Sequence, residues 1–202
     1  MGAGAYLFLE RPLWAVVFLG SFLAFSFVTS SAHTREREHD VDQGQDRDNG
    51  SRRTIYLLSF LGIGLAFAGP FLAPFARIAS PHEAVFIIAM VLLWAGILLY
   101  RWATLTLGAF FRTQVTLLDG QRLVTRGPYR FLRHPAYTGG ILVYAGIGLA
   151  IGNWLSAVAM PLSLIFAYNR RIRVEEAALR ERFGAEFEAN RARTWAIIPF
   201  IW

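Results

Sequence analysis

The 202-residue chain contains no cysteine and no lysine. Without thiols there is no disulfide, no thiolate nucleophile and no cysteine-ligated metal, and the redox compartment stays undetermined. Charge is scarce as well: 17% of residues are charged, against 55% hydrophobic and 15% aromatic, a mixture foreign to ordinary water-soluble domains. There is no internal repeat and no low-complexity tract. The net charge of +6 rests entirely on arginine. Those arginines border apolar runs, and no aromatic-studded polar domain accompanies them. Membrane topology and contact with anionic membrane lipids therefore explain them better than nucleic acid does.

What is present is long apolar runs. No charged side chain occurs from Pro12 to Ala32, from Thr54 to Ala76 or from Ala84 to Tyr100. At 1.5 Å per helical residue, each run can cross a hydrocarbon core about 30 Å thick. A further uncharged stretch, Ala136 to Asn169, is interrupted by the turn-prone pair Gly152-Asn153. Its halves, about sixteen residues each, suit a helical hairpin. The expected fold is thus all-α: a polytopic membrane protein of about five transmembrane helices, the last two a hairpin, plus a cytoplasmic C-terminal helix. Two segments are expected, residues 1–100 with the N-terminal spans and residues 101–202 with the functional core.

Arginines cluster after the first span, after the third, and between Arg170 and Arg193, while the opposite side holds only Arg11 and Arg77. The positive-inside rule then predicts an outside N-terminus and a cytoplasmic C-terminus. Glu10 beside Arg11 and the length of the first run favour a retained helix over a cleaved leader. His33 to Arg53 reads as a solvated polar loop, and His33, His39 and Asp40 within it lack a supporting shell, so no metal site is expected. Pro70 and Pro74 close the second span. Ser80-Pro81-His82-Glu83 reads as a capping box opening the third, with His82 exposed at the membrane surface. Arg170 to Ala189 predicts one helix, with Leu179, Phe183 and Phe187 on a common face, packed back over a cavity.

That cavity is expected where the chain turns polar between Phe111 and His134 but stays rich in glycine, proline and aromatics. Irregular backbone at membrane depth is tolerated where it lines a cavity. Pro135 biases His134 away from helical geometry, and Gly139-Gly140 permits close approach of backbone or ligand. Arg171 and Glu175, spaced i and i+4 after the last apolar run, share a helix face. They read either as a surface ion pair with a topological anchor, or as a charged pair in a binding pocket.

The run Leu123-Val124-Thr125-Arg126-Gly127-Pro128-Tyr129, followed by Arg133-His134-Pro135-Ala136-Tyr137-Thr138-Gly139, resembles the isoprenylcysteine carboxyl methyltransferase family and the related phospholipid methyltransferases. Glu175-Glu176, Leu179, Phe183-Gly184, Phe187 and Ile198-Pro199-Phe200 match that family's C-terminal pattern. The resemblance covers the chain from about Arg101 onward. It implies a membrane-embedded S-adenosylmethionine site with cofactor contacts at Gln114, Gln121, Arg122, Leu123, Val124, Tyr129, His134, Pro135, Ala136, Tyr137 and Glu175. Arg171 falls at the family's substrate-binding arginine, which gives it the catalytic, acceptor-orienting role. The implied partner is a lipophilic methyl acceptor, the carboxylate of a prenylated cysteine, entering from the bilayer.

A carboxylate acceptor is already ionised and needs positioning more than proton removal. An amine acceptor, as in phospholipid-modifying relatives, would need a base, and His134 or Glu175 would be the candidates, His134 nearer a useful pKa. Two residues depart from the family pattern, Asn190 where an aromatic is frequent and Trp195 where proline is common, and neither is expected to touch the cofactor contacts. NADPH-dependent sterol reductases share the arginine-histidine-proline-aromatic motif. An acidic residue often follows the glycine there, and Gly140 in that position favours a methyltransferase. A non-enzymatic membrane scaffold would use the same arginines as lipid anchors and the glycines for helix packing.

Overall fold

The computed structural model describes residues 6–38, 45–46, 50–79, 82–112, 116–117, 120 and 122–199. Six α-helices follow in order: α1 (Pro12–Glu38), α2 (Ser51–Leu72), α3 (His82–Leu107), α4 (Pro135–Ile151), α5 (Trp154–Phe183) and α6 (Ala185–Arg191). The chain is an integral membrane protein. Three helical stretches, Pro12–Thr34, Arg53–Leu72 and His82–Phe110, are long and apolar enough to cross a bilayer, and Pro135–Ile151 is a shorter apolar helix. The only strands among the described residues are β1 (Gln45–Asp46) and β2 (Thr116–Leu117), an antiparallel pair that joins the α1–α2 connection to the α3–α4 connection.

The helices interleave: α3 packs along α4, α2 along α5, and α4 along α5, while α1 lies against α3. Glycine makes the closest of these contacts possible. A Cβ on Gly96 of α3 would stand 2.6 Å from the Gly139 carbonyl of α4, so the two backbones touch with no side chain between them. Around that seam Phe86, Leu93 and Ile97 of α3 bury against Val143 and Ile147 of α4. α1 adds Trp14, stacked on Phe86 with centroids 4.6 Å apart, and Ser21, which accepts from Trp94 Nε1 at 3.0 Å.

The hairpin turns at the anticipated pair. Gly152 ends α4 at φ +81°, where a β-carbon is strained, and Asn153 caps α5 by accepting from Leu155 N at 2.9 Å. Asn153 also donates to the Ala73 carbonyl at 2.8 Å, tying the turn to the end of α2.

Two stretches differ from the sequence reading, the polar loop and the C-terminal helix. The polar loop is shorter than 33–53, because α1 continues to Glu38 and α2 begins at Ser51. His33 is helical, with Nδ1 2.7 Å from the Thr29 carbonyl, and His39 and Asp40 lie outside the described residues. Pro70 sits inside the last turn of α2 and frees the Ala66 carbonyl, which accepts from Ser156 Oγ instead, and Pro74 opens a 3-10 turn. The C-terminal helix is not separate: α5 runs unbroken from the apolar half of the hairpin to Phe183, because no glycine or proline follows Pro161 in it. The break comes at Gly184, φ +49°, and α6 carries the remainder. Of the capping box, Ser80 and Pro81 lie outside the described residues. His82 is half-buried, with Nδ1 2.8 Å from Glu10 Oε2.

Candidate active site

A cavity of about 460 Å³ lies between the helices and the α3–α4 connection. Its polar wall is built where α4 begins. Pro135 is the first residue of α4, and His134 before it takes φ −127°, ψ 58°. Freed from helical bonding, this segment pairs with the C-terminal stretch. Arg133 N donates to Trp195 O at 2.8 Å, His134 N to Ala196 O at 2.9 Å and Trp195 N to Phe131 O at 3.1 Å. One turn earlier, Gly127 at φ +59° opens the 3-10 turn Gly127–Arg130 that buries Tyr129.

Opposite stands α5 with three charged residues on its inner face. Arg171 is only 1% exposed. Its Nε donates to Glu175 Oε1 at 2.8 Å and to the Tyr137 hydroxyl at 3.2 Å, and its Nη1 donates to Ser51 Oγ at 3.0 Å. The Tyr137 hydroxyl donates to Glu175 Oε1 at 2.5 Å. His134 bridges both carboxylates, with Nδ1 3.3 Å from Glu175 Oε2 and Nε2 3.2 Å from Glu176 Oε1. Glu176 also accepts from Arg133 Nε at 2.7 Å, and Arg133 Nη1 donates to the Thr194 carbonyl. The rings of His134, Tyr137 and Tyr168 stack in sequence, with centroids 5.5 Å and then 4.3 Å apart.

These contacts decide protonation. Burial alone would raise the Glu175 pKa, but the hydrogen bond from His134 and the charge of Arg171 overcome it and hold it at about 2. Glu176 is likewise at about 2, burial being outweighed by His134 and Arg133. Burial would lower the His134 pKa, yet its hydrogen bonds to Glu175 and Glu176 push it above the usual histidine range. Burial, followed by the Glu175 charge, drives the Tyr129 hydroxyl far up, so it stays neutral. The two carboxylates thus favour the charged form of His134, which can donate from both nitrogens. That shift weighs against the role of base anticipated for it with an amine acceptor.

Of the residues singled out from sequence, Arg122, Leu123, Val124 and Tyr129 line the cavity, as do His134, Ala136, Tyr137, Arg171 and Glu175. Pro135 does not: it is fully buried in packing at the head of α4. Gln114 and Gln121 lie outside the described residues. The two open readings of Arg171 and Glu175 resolve geometrically, since a pair this buried that faces a cavity is no surface ion pair. Gly139 and Gly140 divide their duties, Gly139 against the α3 backbone and Gly140 in the cavity wall beside Tyr168.

Sequence reasoning missed several residues in or behind the wall. Ser51 had no motif, and only its tertiary position beneath Arg171 reveals it. Arg133 and Glu176 stood out only as parts of motifs. The signal for Glu176 was available, since two adjacent acids ending an apolar run call for two partners. The N-terminal spans, which carry no motif, supply Phe25 and Thr29 from α1 and Tyr56, Ser59 and Phe60 from α2. Asn190, expected to stand away from the site, also lines the cavity. Trp195 makes its contribution through its backbone, and a proline there could not donate to Phe131.

Comparison with known proteins adds an independent finding. A probable protein-S-isoprenylcysteine O-methyltransferase from Oryza sativa subsp. indica is 33% identical over 116 residues, 56% of this chain and 61% of that protein. The protein-S-isoprenylcysteine O-methyltransferase of Schizosaccharomyces pombe is 32% identical over 111 residues, 48% of this chain and 47% of its own length. The chain thus spans less than two thirds of these relatives. A solved structure of the eukaryotic intramembrane Ras methyltransferase, isoprenylcysteine carboxyl methyltransferase, superposes with a TM-score of 0.60 at 25% identity, over 72% of this chain and 52% of that one. The family model described as phospholipid methyltransferase matches residues 84–186, half of the chain, from the start of α3 through the hairpin into α6, and the chain belongs to that family.

Proposed function

We propose that the protein is an integral membrane methyltransferase that uses S-adenosylmethionine to methylate the carboxylate of an isoprenylcysteine-like or other lipophilic acceptor. The observation that carries this reading is the buried charge set in the cavity wall. Arg133, His134 and Arg171 face Glu175 and Glu176, and Arg112 and Arg122 also line the cavity, so the wall carries an excess of positive charge and its carboxylates are already tied to cationic partners. Such a wall favours an acceptor that is already anionic over an amine that must first lose a proton.

The residues fit the methyl donor. The cavity has the size of a small-molecule site, with convergent polar groups at one end and apolar side chains at the other. Glu175, ionised and exposed to the cavity, would take the donor's hydroxyl or ammonium groups. Leu123, Val124, Tyr129, His134, Ala136 and Tyr137 would hold the rest. When bound, S-adenosylmethionine supplies an electrophilic methyl group on a sulfonium. Arg171 orients the acceptor carboxylate, and its own hydrogen bonds to Glu175, Tyr137 and Ser51 fix the guanidinium in advance. The aromatic walls exclude water, which strips hydration from the carboxylate.

Entry from the bilayer is supported by α2, whose cavity-lining Phe60 is 71% exposed on the lipid-facing surface. Five spans, with the N-terminus outside and the C-terminus cytoplasmic, would set the charged wall at the cytoplasmic face.

The test is incubation of detergent-solubilised protein with radiolabelled S-adenosylmethionine, a farnesyl-cysteine analogue and host lipids. Label should enter the base-labile ester of the analogue. Label confined to phospholipid amines would overturn the carboxylate assignment, and label in neither would overturn the activity. Arg171→Leu should keep most of the donor affinity while turnover falls about a hundredfold or more. Unchanged turnover would remove Arg171 from the acceptor role.

A further inference from the structure

One polar side chain in the cavity wall takes no part in the charge network. Asn190, on α6, is 7% exposed and lines the cavity. Its backbone carbonyl is fully engaged, accepting from Thr194 Oγ1 at 2.8 Å and from Arg193 N at 3.1 Å. Its side-chain amide, by contrast, makes no hydrogen bond among the described residues. The amide is not sealed in the core but opens on the cavity, so its donor and acceptor are free to bond whatever occupies it.

Its neighbours say what that occupant is. Along the inner face of α5 the wall runs from Arg171 through Glu175 to Ala178 and Leu179, and α6 continues it with Phe187 and Asn190. Asn190 shares its part of the wall with Ala178, Leu179 and Phe187, and Leu123 and Val124 from the connection before α4 line the same cavity. A carboxylate, an ammonium or a sugar would leave most of its polar groups unpaired against Ala178, Leu179 and Phe187. A flat heterocycle with apolar faces and one polar edge would not. An asparagine amide offers a donor and an acceptor side by side, the complement of the adenine edge formed by N6 and N7.

We propose that Asn190 reads the edge of the donor's purine ring and so sets the nucleoside specificity of the site. This rests on the methyl-donor reading and goes beyond it in naming the residue that distinguishes one base from another. The fixed backbone of α6 holds the amide in place before the ligand arrives, so selectivity needs no rearrangement. Exchange of the 6-amino group for a 6-oxo group turns the donor at that position into an acceptor, and one of the two bonds is lost.

The test uses the full-length protein in detergent and two probes, S-adenosylhomocysteine and S-inosylhomocysteine, which differ in that group. The parent should bind the adenine compound about tenfold or more tightly. In Asn190→Leu the preference should collapse to within about twofold, with the loss falling mainly on the adenine compound. The ligand-free melting temperature separates this from a structural role. It should hold in the leucine variant, because the amide bonds no neighbour among the described residues, whereas an amide that served packing would make it fall. A parent that binds both probes equally would overturn the role of Asn190 alone, and so would a leucine variant that keeps the preference. A parent that binds neither probe would overturn the methyl-donor reading and this inference with it.

Discussion

The two ends of α2 make a natural comparison. Beyond its C-terminal end, Glu10 pairs with Arg77 at 2.5 Å and with His82 at 2.8 Å, and Arg11 pairs with Glu83 at 2.5 Å. At its N-terminal end, Ser51 accepts from Arg171, which belongs to the cluster of Glu175, His134, Glu176 and Arg133. Both clusters tie sequence-distant segments together with the same residue types. They differ in solvation, since the Arg11–Glu83 side chains are about 60% exposed and Arg171 is 1% exposed. An exposed pair contributes up to about 1 kcal/mol and is screened by salt. A buried one costs several kcal/mol per ion to desolvate and seldom repays it as stability. The expensive arrangement is the one that faces a cavity, and this is where charge placed for chemistry is found.

Breaking the buried cluster should have the largest effect. Glu175→Ala leaves Arg171 and His134 each short of a carboxylate in a dry environment, so stability should drop by about 3–5 kcal/mol. The measurement is the melting temperature in detergent, and S-adenosylhomocysteine should no longer raise it. Retained ligand stabilisation would show that Glu175 is structural only.

A pH series sharpens the comparison. The folded pKa of His134 is raised, so its contribution is complete below the unfolded value near 6.5 and is lost as pH rises through the folded value. Glu175 and Glu176 act in the opposite sense. Their contribution is complete above about 4.5 and is lost as pH falls towards 2. Stability should therefore be broad from about pH 4.5 to 6.5 and decline on the alkaline side, and His134→Gln should flatten that decline. An alkaline limb that is the same in the variant would mean that another group causes it. Glu83→Ala, at the exposed end, should cost no more than about 1 kcal/mol, and less in high salt. A larger loss would make the two ends equivalent and remove the distinction.

The apolar blocks made the helices legible, and Gly152-Asn153 made the hairpin turn legible, because hydropathy and turn chemistry are local properties. The i, i+4 spacing of Arg171 and Glu175 placed the pair on one face, and a helix has little choice in that. Which way the face points is not local. Only the packing of α2 along α5 carries it inward, and the same packing brings Ser51 under Arg171. The helix ends were read less well. An uninterrupted apolar-to-polar transition after Asn169 looks like a boundary in composition but is none for the backbone, which continues to Gly184.

The sequence alone determined that the chain resides in a membrane, where its helices and turns lie and which motif to watch, because each follows from the chemistry of neighbouring residues. Tertiary structure decided the rest. It placed His134 between two carboxylates, assigned part of the cavity wall to motif-free α1 and α2, and turned Asn190 from a departure in a pattern into an amide that opens on the cavity. Those properties depend on which groups, far apart in the chain, are removed from water together, and no local pattern records that.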